Sequence, residues 1–275
     1  YLRQALGATD DMTTTNESIE KAAAAIRKAY DTGEACAPVR EFIGETDLDA
    51  AYAVQEINTK HWLDTGRRPV GRKIGLTSKV VQTQLGVDQP DYGMLYADMD
   101  VGDSEEVALG RVIQPRVEAE IFFVLGDDLD EEQLTTADVM NAIDYAVAGI
   151  EIVGSRVAEW NIRITDTIAD NASSGLFVLG QQPKLISEFD LRLCGMVMER
   201  KGEPVSVGAG AACLGSPINA TLWLARMMAK VGRPLMRGDI VLSGALGPMV
   251  PVSPGDVVEA RISGLGSVRA VFAPE

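Results

Sequence analysis

Gln114-Pro115-Arg116-Val117-Glu118-Ala119-Glu120-Ile121-Phe122-Phe123 is the stretch on which the reading of this chain turns. Val117, Ala119, Ile121 and Phe123 alternate with Glu118, Glu120 and Phe122, a period of two that predicts a strand. Side chains two apart on a strand share a face, so Glu118 and Glu120 project together. Two carboxylates held that close repel unless something positive lies between them. A hard divalent cation answers that need, because Mg²⁺ and Mn²⁺ prefer oxygen ligands. Read alone, the pair serves equally well as the solvated face of an edge strand.

Outward from this strand the second signal is Glu151, which interrupts the apolar run Ala148-Gly149-Ile150-Glu151-Ile152-Val153. A carboxylate in such a strand is costly unless it meets a cation or a metal. Arg156 and Arg163 are the candidate partners for a plain salt bridge. With Glu118 and Glu120, Glu151 would instead complete a three-carboxylate site with open positions for water and substrate. The third signal is Lys73 in Val70-Gly71-Arg72-Lys73-Ile74-Gly75, a strand lysine between glycines. Beside a metal-bound anion it would be an electrostatic clamp or a proton donor; otherwise it is a surface lysine.

Other polar segments carry weaker signals. Gln89-Pro90-Asp91-Tyr92-Gly93 and Asp166 to Gly175, which contains Asp170, Asn171 and Ser174, read as turns or helix caps. Ser243-Gly244-Ala245-Leu246-Gly247-Pro248 reads as a tight loop, either a simple turn or a source of backbone N–H groups for an oxyanion. The only histidine, His61, lies in a helical stretch, so a His-rich zinc site is excluded. There is no GxSxG elbow, no P-loop and no GxGxxG after a strand.

The wider pattern is α+β. Thr14 and Glu17 have capping-box spacing ahead of a helix that ends near Gly33, and a second helix is predicted from Asp47 to about Leu63. A helix over Thr136–Val147 and another from Ser216-Pro217 to Gly232 follow, among short strands punctuated by glycine. The expected organisation is a helical N-terminal lobe over 12–68 and a β-rich catalytic core over 69–275. Residues 1–11 are expected to be upstream sequence, with Met12 the natural start.

Composition narrows the classes. The 275 residues carry a formal charge of −15, which disfavours nucleic acid and anionic lipid as partners. No run is long and apolar enough for a membrane span. Three dispersed cysteines fit a reducing, cytoplasmic setting rather than a disulfide framework.

Taken together, GRKIGLTSKVVQTQLGVDQPDYGMLYADM, QPRVEAEIFFVL, GIEIVGSR, DTIADNASSG and LSGALGPMVPV resemble, in order and spacing, the hydratase/decarboxylase branch of the fumarylacetoacetate hydrolase superfamily. The resemblance runs from about residue 48 onward. It implies a β-rich roll of mixed sheets with helices around it. It implies Glu118, Glu120 and Glu151 as ligands of Mg²⁺ or Mn²⁺, Lys73 and Asp91 as catalytic residues, and Asp170, Asn171, Ser174 and Leu246 near the substrate. The expected reaction is hydration of 2-hydroxypenta-2,4-dienoate to 4-hydroxy-2-oxopentanoate, in the meta-cleavage breakdown of aromatic compounds. The alternatives are decarboxylation of 2-oxo-3-hexenedioate, an acylpyruvate-type C–C hydrolase disfavoured by the missing histidine, and a non-catalytic scaffold. A homo-oligomer is also expected, with a pathway decarboxylase or aldolase as a candidate partner.

Overall fold

A computed structural model of the chain describes residues 14–85 and 87–274. The expected upstream segment 1–11 and the start at Met12 lie outside the described residues.

Three helices come first: α1 (Asn16–Thr32), α2 (Arg40–Ile43) and α3 (Leu48–Asp64). The capping box of α1 lies one residue beyond the expected place. Thr15 caps the helix and exchanges hydrogen bonds with Ser18, not Glu17. Thr14 instead donates to Asp47 Oδ2 at 2.8 Å, a charged acceptor that the start of α3 supplies. Asp47 in turn caps α3 through the Ala50 N–H.

The strands follow: β1 (Pro69–Gly75), β2 (Asp91–Tyr96) after helix α4 (Lys79–Leu85), β3 (Asp100–Val101), β4 (Glu106–Val107) and β5 (Arg116–Leu125). Helix α5 (Thr136–Ala142) leads directly into β6 (Ile143–Val153), and helix α6 (Ile164–Ala169) precedes β7 (Leu176–Leu179). A hairpin of β8 (Gly195–Arg200) and β9 (Glu203–Ala209), helix α7 (Pro217–Lys230), and β10 (Ile240–Ala245), β11 (Val250–Pro251), β12 (Val257–Ile262) and β13 (Gly266–Phe272) complete the chain.

Two expectations change here. The predicted helix over Thr136–Val147 stops at Ala142, because Ile143, Tyr145 and Val147 are strand formers that join the ladder with β5. The segment around Asp91, read as a turn, opens strand β2, with Asp91 opposite Gly75 of β1.

The strands form a mixed eight-stranded sheet, β2-β1-β10-β5-β6-β7-β3 with β11 added to β5, and a five-stranded sheet, β4-β13-β12-β8-β9. β1 runs parallel to β10, whereas β5 is antiparallel to both of its neighbours, β10 and β6. A continuous apolar core that includes Phe122, Phe177, Leu242, Val258 and Phe272 joins the two sheets. This is the α+β, β-rich roll that the sequence implies.

A second apolar cluster unites the N-terminal helices with α6. Ala22, Ala23 and Ile26 of α1 and Ala51 and Val54 of α3 pack with Ile164 and Ile168. Small alanines let the helices approach closely, and the cluster lays them over one end of the eight-stranded sheet. Gln55 of α3 pins the layer: its Nε2 donates to the carbonyls of Tyr92 in β2, at 2.8 Å, and of Ile168 in α6, at 3.0 Å. Gln55→Leu takes a buried donor from both carbonyls and should lower unfolding free energy by about 2 kcal/mol, read by denaturant titration. An unchanged midpoint would mean that the pin carries no load.

Candidate active site

β5 is an interior strand, so the reading of Glu118 and Glu120 as a solvated edge fails. Glu151 on β6 stands directly opposite Glu118 in the antiparallel register. The three carboxylates each bring an oxygen within 4.8 Å of the others. Glu120 and Glu151 are 0% and 1% exposed, whereas Glu118 is partly exposed and marks the open side.

These groups lack sufficient partners. Glu120 Oε2 accepts the Gly244 N–H at 2.9 Å, but its Oε1 has no hydrogen bond. Neither oxygen of Glu151 has one. Lys73 Nζ approaches Glu151 Oε1 to 3.1 Å outside hydrogen-bonding geometry, so this contact is an ion pair only. Neither expected salt-bridge partner meets Glu151: Arg156 binds Asp170, and Arg163 forms no ion pair with Glu151 among the described residues. Burial, then repulsion from Glu151, pushes Glu118 up to about 7 despite Lys73. Burial and mutual repulsion drive Glu120 well above the ordinary carboxylate range, and burial outweighs Lys73 in raising Glu151.

Were all three glutamates ionised, the one ammonium would leave two negative charges uncompensated. Orphaned, inward-facing carboxylate oxygens and an all-oxygen donor set fit a hard divalent cation.

Lys73 is 3% exposed on an interior strand, so it is no surface lysine. Burial pulls its ammonium down, but Glu151, Asp91, Glu118 and Glu120 outweigh that and raise its pKa. Its Nζ donates to the Ala172 carbonyl at 2.9 Å. That carbonyl belongs to a strained turn: Asn171, Ala172 and Ser173 all have left-handed backbones, with φ of 53°, 52° and 55°.

Surrounding bonds hold the turn. The Asn171 amide accepts the Met94 N–H at 2.7 Å and donates to the Met94 carbonyl at 2.9 Å. Ser174 Oγ donates to the Asn171 carbonyl at 2.6 Å. A Cβ at Gly93 would collide with the same carbonyl, so β2 needs glycine where the turn rests on it. Before the turn, Arg156 donates to the Asp170 carboxylate from Nε and its own N–H, and to the Asp170 carbonyl from Nη2.

Of the residues expected near the substrate, Asp170, Asn171 and Ser174 therefore meet protein partners and shape the turn beneath Lys73. Leu246 is buried; its N–H donates to the Ala119 carbonyl at 3.0 Å. With the Gly244 N–H on Glu120, the end of β10 and the loop after it spend these donors on the glutamate strand and offer neither to an oxyanion. Asp91 lies 1% exposed beside Lys73, with Oδ2 bonded to Thr167 Oγ at 2.6 Å and Oδ1 without a partner. Burial raises its pKa, opposed by Lys73 and Thr167.

Sequence reasoning missed Thr167, Arg156 in its real pairing, and the Ala172 carbonyl. Only the polarity of the 166–175 stretch hinted at them. A separate cleft of about 520 Å³, lined by Tyr30, His61, Trp62, Arg67 and Arg111, contains none of the three glutamates.

The chain is similar to known proteins over most of its length. Residues 72–273 match the family model of the fumarylacetoacetate (FAA) hydrolase C-terminal region. The chain is 66% identical to a TodF product hydratase of Pseudomonas putida, covering 95% of this chain and 97% of that one. It is 60% identical to 2-keto-4-pentenoate hydratase 1 of Dechloromonas aromatica, covering 93% and 97%. Among solved structures, 4-oxalocrotonate decarboxylase from Pseudomonas putida G7, complexed with magnesium and adipate, superposes with a TM-score of 0.89. Its identity is 36%, with 94% of this chain and 99% of that one covered.

Two outcomes test the cage. Glu120→Gln should abolish the calorimetric signal for Mg²⁺ binding while the circular dichroism spectrum stays native. The raised glutamates also make stability depend on pH. The metal-free folded chain retains protons that the unfolded chain gives up above its ordinary value of 4.5. Their contribution is therefore present below about pH 4.5 and lost as pH rises through about 7. Protons and cation compete for the same oxygens, so saturating Mg²⁺ should raise the melting temperature more at about pH 8 than at about pH 6. A metal-induced shift equal at both would count against the assignment.

Proposed function

The chain belongs to the fumarylacetoacetate hydrolase family, and from that premise we propose that it works as a divalent-metal-dependent hydratase of 2-keto-4-pentenoate, the keto form of 2-hydroxypenta-2,4-dienoate. The observation that carries the reading is the convergence of Glu118, Glu120 and Glu151 within 4.8 Å, with the buried Lys73 ammonium in the wall. Mg²⁺ or Mn²⁺ is the proposed ion, because every donor is a carboxylate oxygen. Held by these glutamates, it would supply positive charge that grips the substrate's carboxylate and 2-oxygen and draws electron density from the latter.

The chain's own residues divide the proton chemistry. The dienol loses its 2-hydroxyl proton and gains one at C5, giving a conjugated 2-oxo-3-enoate. Lys73 is the proposed donor to C5, because the surrounding carboxylates keep it an ammonium and the Ala172 carbonyl fixes its Nζ. Water then adds across C3 and C4, its oxygen to C4 and a proton to C3, giving 4-hydroxy-2-oxopentanoate. Asp91 Oδ1, free of other partners and next to Lys73, is the proposed acceptor of the water proton. Asp170, Asn171, Ser174 and Leu246 serve by fixing the turn and the glutamate strand around the substrate.

Decarboxylation would use the same cage, but the hydratase relatives are 66% and 60% identical against 36% for the decarboxylase. A C–C hydrolase of the histidine-dyad type lacks its histidine, because His61 is exposed on α3 away from the glutamates.

Loss of dienoate absorbance is the direct assay. EDTA should abolish turnover and Mg²⁺ or Mn²⁺ restore it, with 4-hydroxy-2-oxopentanoate as product; carbon dioxide released from 2-oxo-3-hexenedioate instead would favour the decarboxylase. Lys73→Ala should bind metal yet lose about 10²- to 10⁴-fold in kcat. A variant with full activity would remove Lys73 from the mechanism.

A further inference from the structure

We infer that Thr167 is a positioning residue for hydration: its hydroxyl holds one oxygen of Asp91 so that the other is left free beside Lys73 to take the proton of the incoming water. This rests on the hydratase reading and deepens it.

The post on which Thr167 stands is fixed from several sides. The Asp166 carboxylate accepts N–H groups of Arg40, at 2.9 Å, and Arg163, at 2.8 Å, and forms an ion pair with the Arg40 guanidinium. Thr165 Oγ donates to the Gly44 carbonyl at 2.9 Å, and Gln55 holds the Ile168 carbonyl at 3.0 Å. Helix α6 is thus tied at the residue two before Thr167 and at both of its neighbours. A β-branched side chain on so fixed a backbone has few rotamers open to it.

The hydroxyl has one proton to give. Asp91 Oδ2 lies at 2.6 Å and the Ile164 carbonyl, the usual target of a helical threonine, at 3.4 Å, so the proton goes to Asp91. Securing Oδ2 fixes the carboxylate plane. Oδ1 then occupies the space where Gly75 has no side chain, with Lys73 Nζ alongside. Any Cβ at Gly75 would collide with it, so strand and threonine together place the free oxygen.

Without the hydroxyl, Oδ2 would be a second orphaned oxygen on a buried carboxylate. The carboxylate would relieve this by rotating onto Lys73 or by taking up a proton, and either outcome removes the acceptor. Thr167 is buried with its hydroxyl committed to Asp91, so its loss should affect the rate of the chemical step rather than substrate capture.

The test uses the Mg²⁺-loaded enzyme with Thr167→Val, Thr167→Ser, Asp91→Asn and the Thr167→Val/Asp91→Asn double variant. Thr167→Val keeps the shape and should lower kcat about 10- to 100-fold, less than the loss of Asp91 itself, with KM within about twofold. Mg²⁺ affinity should be unchanged, and Thr167→Ser should recover kcat to within a few-fold. In the Asp91→Asn background, Thr167→Val should cost nothing further, because the oxygen it positions no longer accepts a proton. A fully active Thr167→Val, a fall expressed in KM or metal affinity, or penalties that simply add in the double variant would overturn the inference. Should Thr167→Val not fold, Thr167→Ala carries the same comparison against Thr167→Ser. A wild-type enzyme inert toward the dienoate would sink the hydratase reading itself, whereas an active wild type beside an indifferent Thr167→Val sinks only this inference.

Discussion

Glu118 and Glu151 face each other across neighbouring strands, a placement in which like charges destabilise a sheet. Glu120 joins them two residues along, and Lys73 offers a single opposing charge. A fold selected for stability alone would put apolar side chains at these interior positions, since removing charges from water costs more than their attraction returns. The neighbouring structure is arranged to bear that cost. The Gly244 N–H is spent on Glu120, and β1 brings its lysine to Glu151 across the two intervening strands, β10 and β5. Even so, Glu120 and Glu151 retain orphaned oxygens. The site is stable only in company, either of protons or of a cation.

The strained turn is the other half of that arrangement. A left-handed residue other than glycine is unusual, and three in succession need external support. Support comes from Met94 beneath Asn171, from Ser174 folding back, and from the buried Arg156–Asp170 pair at the entry. Most of what holds the turn is hydrogen bonding to backbone, so its geometry is set by the sheet and not by a mobile side chain. What the strain yields is a carbonyl directed at Lys73 Nζ from outside the ladder. An ammonium anchored in this way faces the glutamates at a fixed distance instead of collapsing fully onto one of them.

Legibility from sequence followed the range of the interaction. Period-two alternation placed Glu118 and Glu120 on one face, and the apolar run around Glu151 signalled a charge in a core strand; both features are local. The three-strand arrangement that makes them one site came from the order and spacing of several motifs. Pairwise choices were not legible. Glu151 meets Lys73 rather than Arg156 or Arg163, because strand order decides which cation is near, and strand order is a long-range property. The same holds for Thr14, drawn from its capping role by an aspartate 33 residues away. It holds again for Ile143 to Val147, helical by neighbourhood but strand by partner. Thr167 sat within a polar stretch noted for its composition, and nothing local pointed it at Asp91.

The N-terminal helices fall outside the matched family region, which begins at residue 72, yet the site cannot be understood without them. Gln55 joins β2, which bears Asp91, to α6, which bears Thr167. Arg40 secures Asp166 one residue before Thr167. The Arg156 guanidinium lies over the Tyr30 ring at 4.4 Å, a cation–π contact beneath the pair that anchors the turn. Cys36 exchanges backbone hydrogen bonds with the segment that carries Arg156, at 2.7 and 2.9 Å. Each tie ends on a residue that borders or holds the strand, helix or turn meeting Lys73 or Asp91, and none ends on a glutamate. The β-roll alone therefore brings the three glutamates together, while the surroundings of Lys73 and Asp91 are braced as well by the helical layer packed against it.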